Sequence, residues 1–197
     1  MNPEMTPSLV AREHTTTLIT RALWRAREKW ITLGQHRGVP PQLVLASRGA
    51  GKSRGLLTFL AELGDISDTL TGEDRGKLGF RHIVAIVLDH YEASYHMQEL
   101  GRRYTDLNGV DIHPNPASNS TRGLLYRGKS HELRVLSATH SDIVSMLRGT
   151  QVGEVYVDEP LLIPCAVLRR LRDAYPVVAG VSSVGVAGLT VTMPEEW

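Results

Sequence analysis

The chain has 197 residues, 42% hydrophobic and 22% charged, a globular composition with enough apolar mass for a sizeable core. Lys and Arg total 22 against 21 for Asp and Glu, so net charge favours no polyanionic partner and any basic surface must be local. Cys165 is the one cysteine, which excludes an internal disulfide or a cysteine-based metal site; with a polar N-terminus and no long apolar run, the expectation is a soluble, intracellular protein.

Residues 1–13 read as a loose tail. Thr15–Leu33 reads as a helix, because Leu18, Ala22, Ala26 and Trp30 recur every four residues while Arg21, Arg25 and Lys29 line another face. That basic face suits either solvent or DNA phosphates. GVPP (38–41) ends the helix, since proline cannot continue it. The expected division is therefore 1–38 as N-terminal tail and helix, and 39–197 as the core domain.

Within the core, Gln42–Leu45 reads as a short buried strand and about Gly51–Leu63 as a helix. Residues 64–79, with four glycines and several charges, read as a surface connection. HIVAIVLD (82–89) is a second apolar strand, followed by a helical stretch to about Tyr104. A long loop over 106–123 precedes a hairpin over 123–138 that turns at Arg127–Ser130. SDIVSML is a short helix, VGEVYVDE (152–159) a strand, AVLRRLRDA (166–174) a helix and VVAGVSSV (177–184) a central strand. LTVTM (189–193) reads as one more short strand at the end. Apolar strands alternating with helices predict an α/β fold: a mostly parallel central sheet with helices on both faces.

The chemistry concentrates in two places. ASRGAGKS (46–53) follows a strand and opens a helix, and it matches G-x-x-x-x-G-K-[ST] except that Ala46 replaces the first glycine. In such a loop the backbone N–H groups of Ser47, Arg48, Gly49, Ala50 and Gly51 face phosphate oxygens. Lys52 reaches the terminal phosphates and the Ser53 hydroxyl ligates Mg²⁺, so the cofactors expected are ATP and Mg²⁺. The second place is the end of EVYVDE. There Asp158 would position Mg²⁺, and Glu159 beside it would polarise an attacking water, which points to hydrolysis. Ser182 and Ser183 end a strand expected near the loop, where a hydroxyl would sense the γ-phosphate; a plain strand-end serine is the alternative. The eight histidines show no ligand spacing; Asp89 and Tyr91 could flank the nucleotide or DNA, with a helix cap the preferred reading for Asp89.

With these motifs in order, the chain resembles the ATPase domain of the viral large terminase subunit, the genome-packaging motor. Arg48 stands four residues before the lysine, as in that family. The pair Arg148-Gly149 precedes the acidic pair, and Val181–Ser183 resembles the coupling motif. The resemblance covers about residues 42–184. Pro160, where a small residue is common, and the imperfect coupling motif are departures. The resemblance implies a P-loop NTPase of the ASCE type that hydrolyses ATP to translocate double-stranded DNA into a capsid. It implies Glu159, Lys52, Arg48 and Arg148 as catalytic residues, with Arg148 acting on a neighbour in a ring that the family makes pentameric. Arg169, Arg170 and Arg172 are alternatives for that arginine. The implied partners are DNA, a portal and capsid, and a small terminase subunit; the implied place is the host cytoplasm, without a membrane. Two other readings stay open: another nucleic-acid ATPase such as a helicase or replication loader, and a non-catalytic nucleotide-gated assembly protein.

Overall fold

The apolar runs separated by helical stretches assemble into one sheet. The computed structural model describes residues 7–34, 40–69, 81–87, 95, 99, 124–127, 131–138, 143–149, 151–185 and 189–192. Its elements in chain order are α1 (Pro7–Thr32), β1 (Gln42–Ser47), α2 (Lys52–Thr69), β2 (Arg81–Val87), β3 (Leu124–Arg127) and β4 (His131–Ser137). These are followed by α3 (Ile143–Met146), β5 (Val152–Asp158), a 3₁₀ turn (Pro160–Leu162), α4 (Cys165–Ala174), β6 (Val177–Val184) and β7 (Leu189–Thr192). The strand order is β3-β4-β2-β5-β6-β1-β7. The five central strands β4, β2, β5, β6 and β1 all pair in parallel. Antiparallel β3 and β7 close the two edges.

Alternation along the strands sorts side chains to two faces. Ile83, Ala85 and Val87 of β2 join a core with α1 and α2, whereas Val84 and Ile86 join one with α3 and α4. Helices therefore cover both faces, as the unbroken apolar strands predict. The first core holds Phe59 edge-on to both Trp24 and Tyr156, with ring centroids 4.9 Å apart in each pair. No described helix is long and apolar enough to cross a membrane.

Several boundaries differ from the sequence reading. Residues 7–13 are helical rather than part of a loose tail; Pro7 begins α1, where a missing N–H costs nothing because that donor has no partner inside the helix. Helix α2 runs to Thr69, so 64–69 is not surface connection. Gly64 is a buried helical position, and a helical glycine costs only about 1 kcal/mol against alanine. Strand β1 extends through Ala46 and Ser47, and β5 stops at Asp158, which leaves Glu159 in the turn beyond it. The hairpin forms, with Leu124 opposite Val135 and Arg127 opposite Glu132. Asp89 and Tyr91, the loop over 106–123 and most of the helical stretch before it lie outside the described residues.

Candidate active site

The sheet order places the two motifs at one corner. β1 delivers the phosphate loop and β5 the acidic pair, and β6 lies between them with Ser183 in register with Ala46 and Val181 with Asp158. All three strands are parallel, so their C-terminal ends open on the same side of the sheet. That is the ordinary location of ligands in open α/β folds.

The loop turns tightly. The Ala50 N–H donates to the Ser47 carbonyl oxygen at 3.2 Å, and Gly49 and Gly51 have φ of 78° and 82°. These are left-handed values that favour glycine. At Gly49 an added Cβ would meet nothing within 4 Å, so the requirement there is conformational. Lys52 is the first residue of α2 and is only 5% exposed. Its Nζ donates to the Ser47 carbonyl oxygen at 3.1 Å and lies 3.7 Å from Glu159 Oε1. Ser53 is half-buried beside it, whereas Arg48 is exposed at the outer turn of the loop.

Asp158 is 2% exposed at the end of β5. Glu159 follows with φ 48° and ψ 49°, and it is the one described non-glycine residue with positive φ. This turn aims its carboxylate at β6. Oε1 accepts the Ser183 hydroxyl at 2.6 Å, and Oε2 accepts the Ser183 N–H at 2.7 Å and the Ser182 hydroxyl at 3.1 Å. The Glu159 N–H donates to the Val181 carbonyl oxygen at 2.8 Å, and Pro160 is buried directly after it. Pro160, a departure from the family pattern, thus sits in the turn that carries Glu159.

Lys52, Asp158, Glu159, Ser182 and Ser183 are therefore brought together around the loop Ala46–Ser53. Arg148 is not. It is exposed in the turn after α3, at the opposite end of β5 from Glu159. At about 3.3 Å per residue the intervening strand separates them by roughly 20 Å. Arg169 and Arg170 are exposed on α4 and Arg172 is partly so.

The donor set fits a nucleoside triphosphate with Mg²⁺. A buried ammonium and a loop of left-handed glycines suit phosphate oxygens, and a buried aspartate suits a hard cation. Among the described residues no three His, Cys, Asp or Glu gather into a metal cage. Mg²⁺ normally takes one or two protein carboxylates together with the phosphates.

One network escapes sequence reading. Arg27 of α1 donates twice to Glu154 of β5, Nε to Oε2 and Nη2 to Oε1, both at 2.8 Å; the Tyr156 hydroxyl donates to Glu154 Oε2 at 2.7 Å. Burial pulls the Arg27 pKa down, but the hydrogen bond and charge of Glu154, helped by Tyr156, outweigh it and leave it raised. Glu154 stands in plain view in GEVYVDE, yet only the tertiary fold reveals its cation.

No protein-family model matches the chain, and no curated protein matches it in sequence. Among solved structures, the large terminase of a thermophilic bacteriophage is similar at 11% identity and a TM-score of 0.54, over 82% of this chain and 38% of that one. The large terminase ATPase domain of Thermus phage P74-26 aligns at 17% identity over 78% of this chain and 64% of that one, with a TM-score of 0.41. The chain thus spans well under half the length of the first of these terminases. What that first likeness carries is architecture alone: an α/β fold with a five-stranded parallel central sheet covered by helices, as in that terminase.

Proposed function

We propose that the chain is an ATP-hydrolysing motor that translocates double-stranded DNA into a viral capsid, working as a ring of subunits. The observation that carries the ATPase reading is the approach of Lys52 Nζ to 3.7 Å from Glu159 Oε1, which unites two motifs separated by about a hundred residues of sequence. The packaging reading draws on the order of Arg48, Arg148-Gly149 and Val181–Ser183 along the sequence, and it agrees with a fold shared with a large terminase.

In this reading the backbone N–H groups of Ser47–Gly51 and the Lys52 ammonium hold the phosphates. Ser53 and Asp158 hold Mg²⁺, which when bound supplies charge neutralisation at the phosphates. Lys52 exchanges its contacts with the Ser47 carbonyl oxygen and Glu159 for phosphate oxygens. Glu159, fixed by three hydrogen bonds from β6, then orients water and accepts its proton. Because Ser182 and Ser183 bind that carboxylate directly, any movement of Glu159 during turnover is transmitted to β6. Exposed Arg48 is within the loop and would contact phosphate from outside. DNA, a portal and a small terminase subunit are the partners of this proposal.

The test is ATP turnover, measured with and without duplex DNA and portal-bearing capsids. Lys52→Ala should lower turnover by at least about a hundredfold while the fold is retained, because the lysine serves phosphates rather than the core. Normal turnover in that variant would remove the ATPase reading. Strand unwinding in the absence of a portal would instead favour a helicase. Nucleotide binding with no turnover, even with DNA in assembled rings, would favour a nucleotide-gated assembly protein.

A further inference from the structure

Helix α1 carries a row of cations that the proposed reaction does not use. Arg21, Arg25 and Lys29 are exposed and border a groove of about 430 Å³ whose floor is Leu18, Ala22 and Ala26, and which Gln42 of β1 also lines. Among the described residues neither Arg21 nor Arg25 forms an ion pair. Arg27, elsewhere on the same helix, is by contrast committed to Glu154. Glu28 is the acid beside the row, and it too is exposed.

Spacing and relief decide what such a row can hold. At 1.5 Å per residue the cations extend over about 12 Å. Winding of the backbone about an axial rise of about 3.4 Å puts successive phosphates of one strand roughly 6–7 Å apart, so cations about 6 Å apart along the helix match about three of them. Two of the three cations are arginines, whose planar forks match phosphate oxygens. The floor is low: Ala22 and Ala26 are 7% and 3% exposed, and Leu18 is half-buried. Large side chains there would hold a stiff sugar–phosphate backbone away from the helix. Small side chains instead let a sugar–phosphate backbone approach closely.

We propose that the Arg21–Arg25–Lys29 face of α1 is a docking surface for the phosphate backbone of duplex DNA, binding without sequence readout. The choice of duplex as occupant rests on the DNA-motor reading; the presence of a polyanion site does not.

The experiment is fluorescence anisotropy of a short labelled duplex titrated with the whole chain, without nucleotide, at several salt concentrations. Replacing all three cations (Arg21→Gln, Arg25→Gln and Lys29→Gln) should reduce the slope of log Kd against log salt by about 2.7, at roughly 0.9 per lost phosphate contact. Equivalently, from about 50 to 200 mM salt the unmodified protein should lose about 40-fold more affinity than the triple variant. Arg25→Gln alone, the mildest change, should take away about 0.9 of slope, and Arg21→Lys with Arg25→Lys should keep it. Helical circular dichroism and DNA-independent ATPase should be unchanged, since no substituted residue belongs to the nucleotide site. The proposal is overturned if the triple variant keeps the slope and affinity of the unmodified protein, or if the unmodified protein fails to bind duplex at low salt. It is also overturned if a polyglutamate peptide requires the three cations while duplex does not, which would mark a surface for an acidic polypeptide. Salt-dependent duplex binding through these cations in a protein without ATP turnover would sink the motor reading and leave the docking surface standing.

Discussion

Glu159 holds a left-handed backbone conformation that costs a non-glycine residue about 1–3 kcal/mol, and a proline follows it. That cost is offset by three hydrogen bonds from Ser182 and Ser183 to its carboxylate, which no extended continuation of β5 would place in reach. Asp158, one residue earlier and still in the strand, is 2% exposed. The two acids should therefore separate on substitution. Glu159→Gln keeps an oxygen acceptor for β6 and should bind ATP normally, yet lose turnover by about 10²–10⁴-fold, the range for a missing general base. Asp158→Asn should instead weaken nucleotide binding in Mg²⁺ and have little effect on binding in EDTA. Calorimetry of both variants checks the pair, and an equal loss of ATP binding would contradict the division. The acidic pair was legible because its chemistry is local to EVYVDE. The grip of Ser182 and Ser183 was not, because it depends on β6 lying next to β5.

The contact between α1 and α2 is set by a residue that looks unremarkable in the sequence. A Cβ added at Gly55 would lie 2.7 Å from Ile19 Cγ2, 2.9 Å from Ile19 Cβ and 3.2 Å from the Thr16 carbonyl oxygen. The Gly55 carbonyl oxygen also accepts the Thr20 hydroxyl at 3.2 Å. Gly55→Ala gains about 1 kcal/mol of helix propensity. Ile19 is fully buried, so overpacking of about 1–3 kcal/mol should exceed that gain. The expected outcome is a lower unfolding midpoint in denaturant, and a stabilised variant would show that the helices part freely. Hydrophobic spacing identified α1 through Leu18, Ala22, Ala26 and Trp30, but its start at Pro7 lies before that pattern begins. Gly64 misled in the other direction: glycine usually marks a loop, and here it lies buried within α2. The Arg27–Glu154 pair, 127 residues apart, is beyond any local pattern.

At the scale of the molecule, Arg148 and Glu159 stand at opposite ends of β5, so in the proposed ring the phosphate site for Arg148 to serve would be another subunit's. A finger of this kind contributes roughly 10³–10⁵ in rate, or about 4–7 kcal/mol of barrier. Arg148→Ala subunits would lack the finger and keep the pocket; Glu159→Gln subunits would do the reverse. Rings mixed from these two inactive variants should regain measurable ATPase. No recovery in rings shown to be mixed would exclude Arg148 and turn attention to Arg169, Arg170 and Arg172 of α4. The strand order has a further consequence, which concerns how the chain is made. Both neighbours of β1, β6 and β7, lie about 130 residues or more beyond it in sequence. A ribosome adding 5–20 residues per second needs roughly 6–26 s to supply β6 after β1 has emerged. Throughout that interval the strand that bears the phosphate loop has neither edge paired. Nucleotide affinity should thus be acquired only after β6 and β7 have been made, and until then β1 is an apolar strand within reach of chaperones and of other nascent chains.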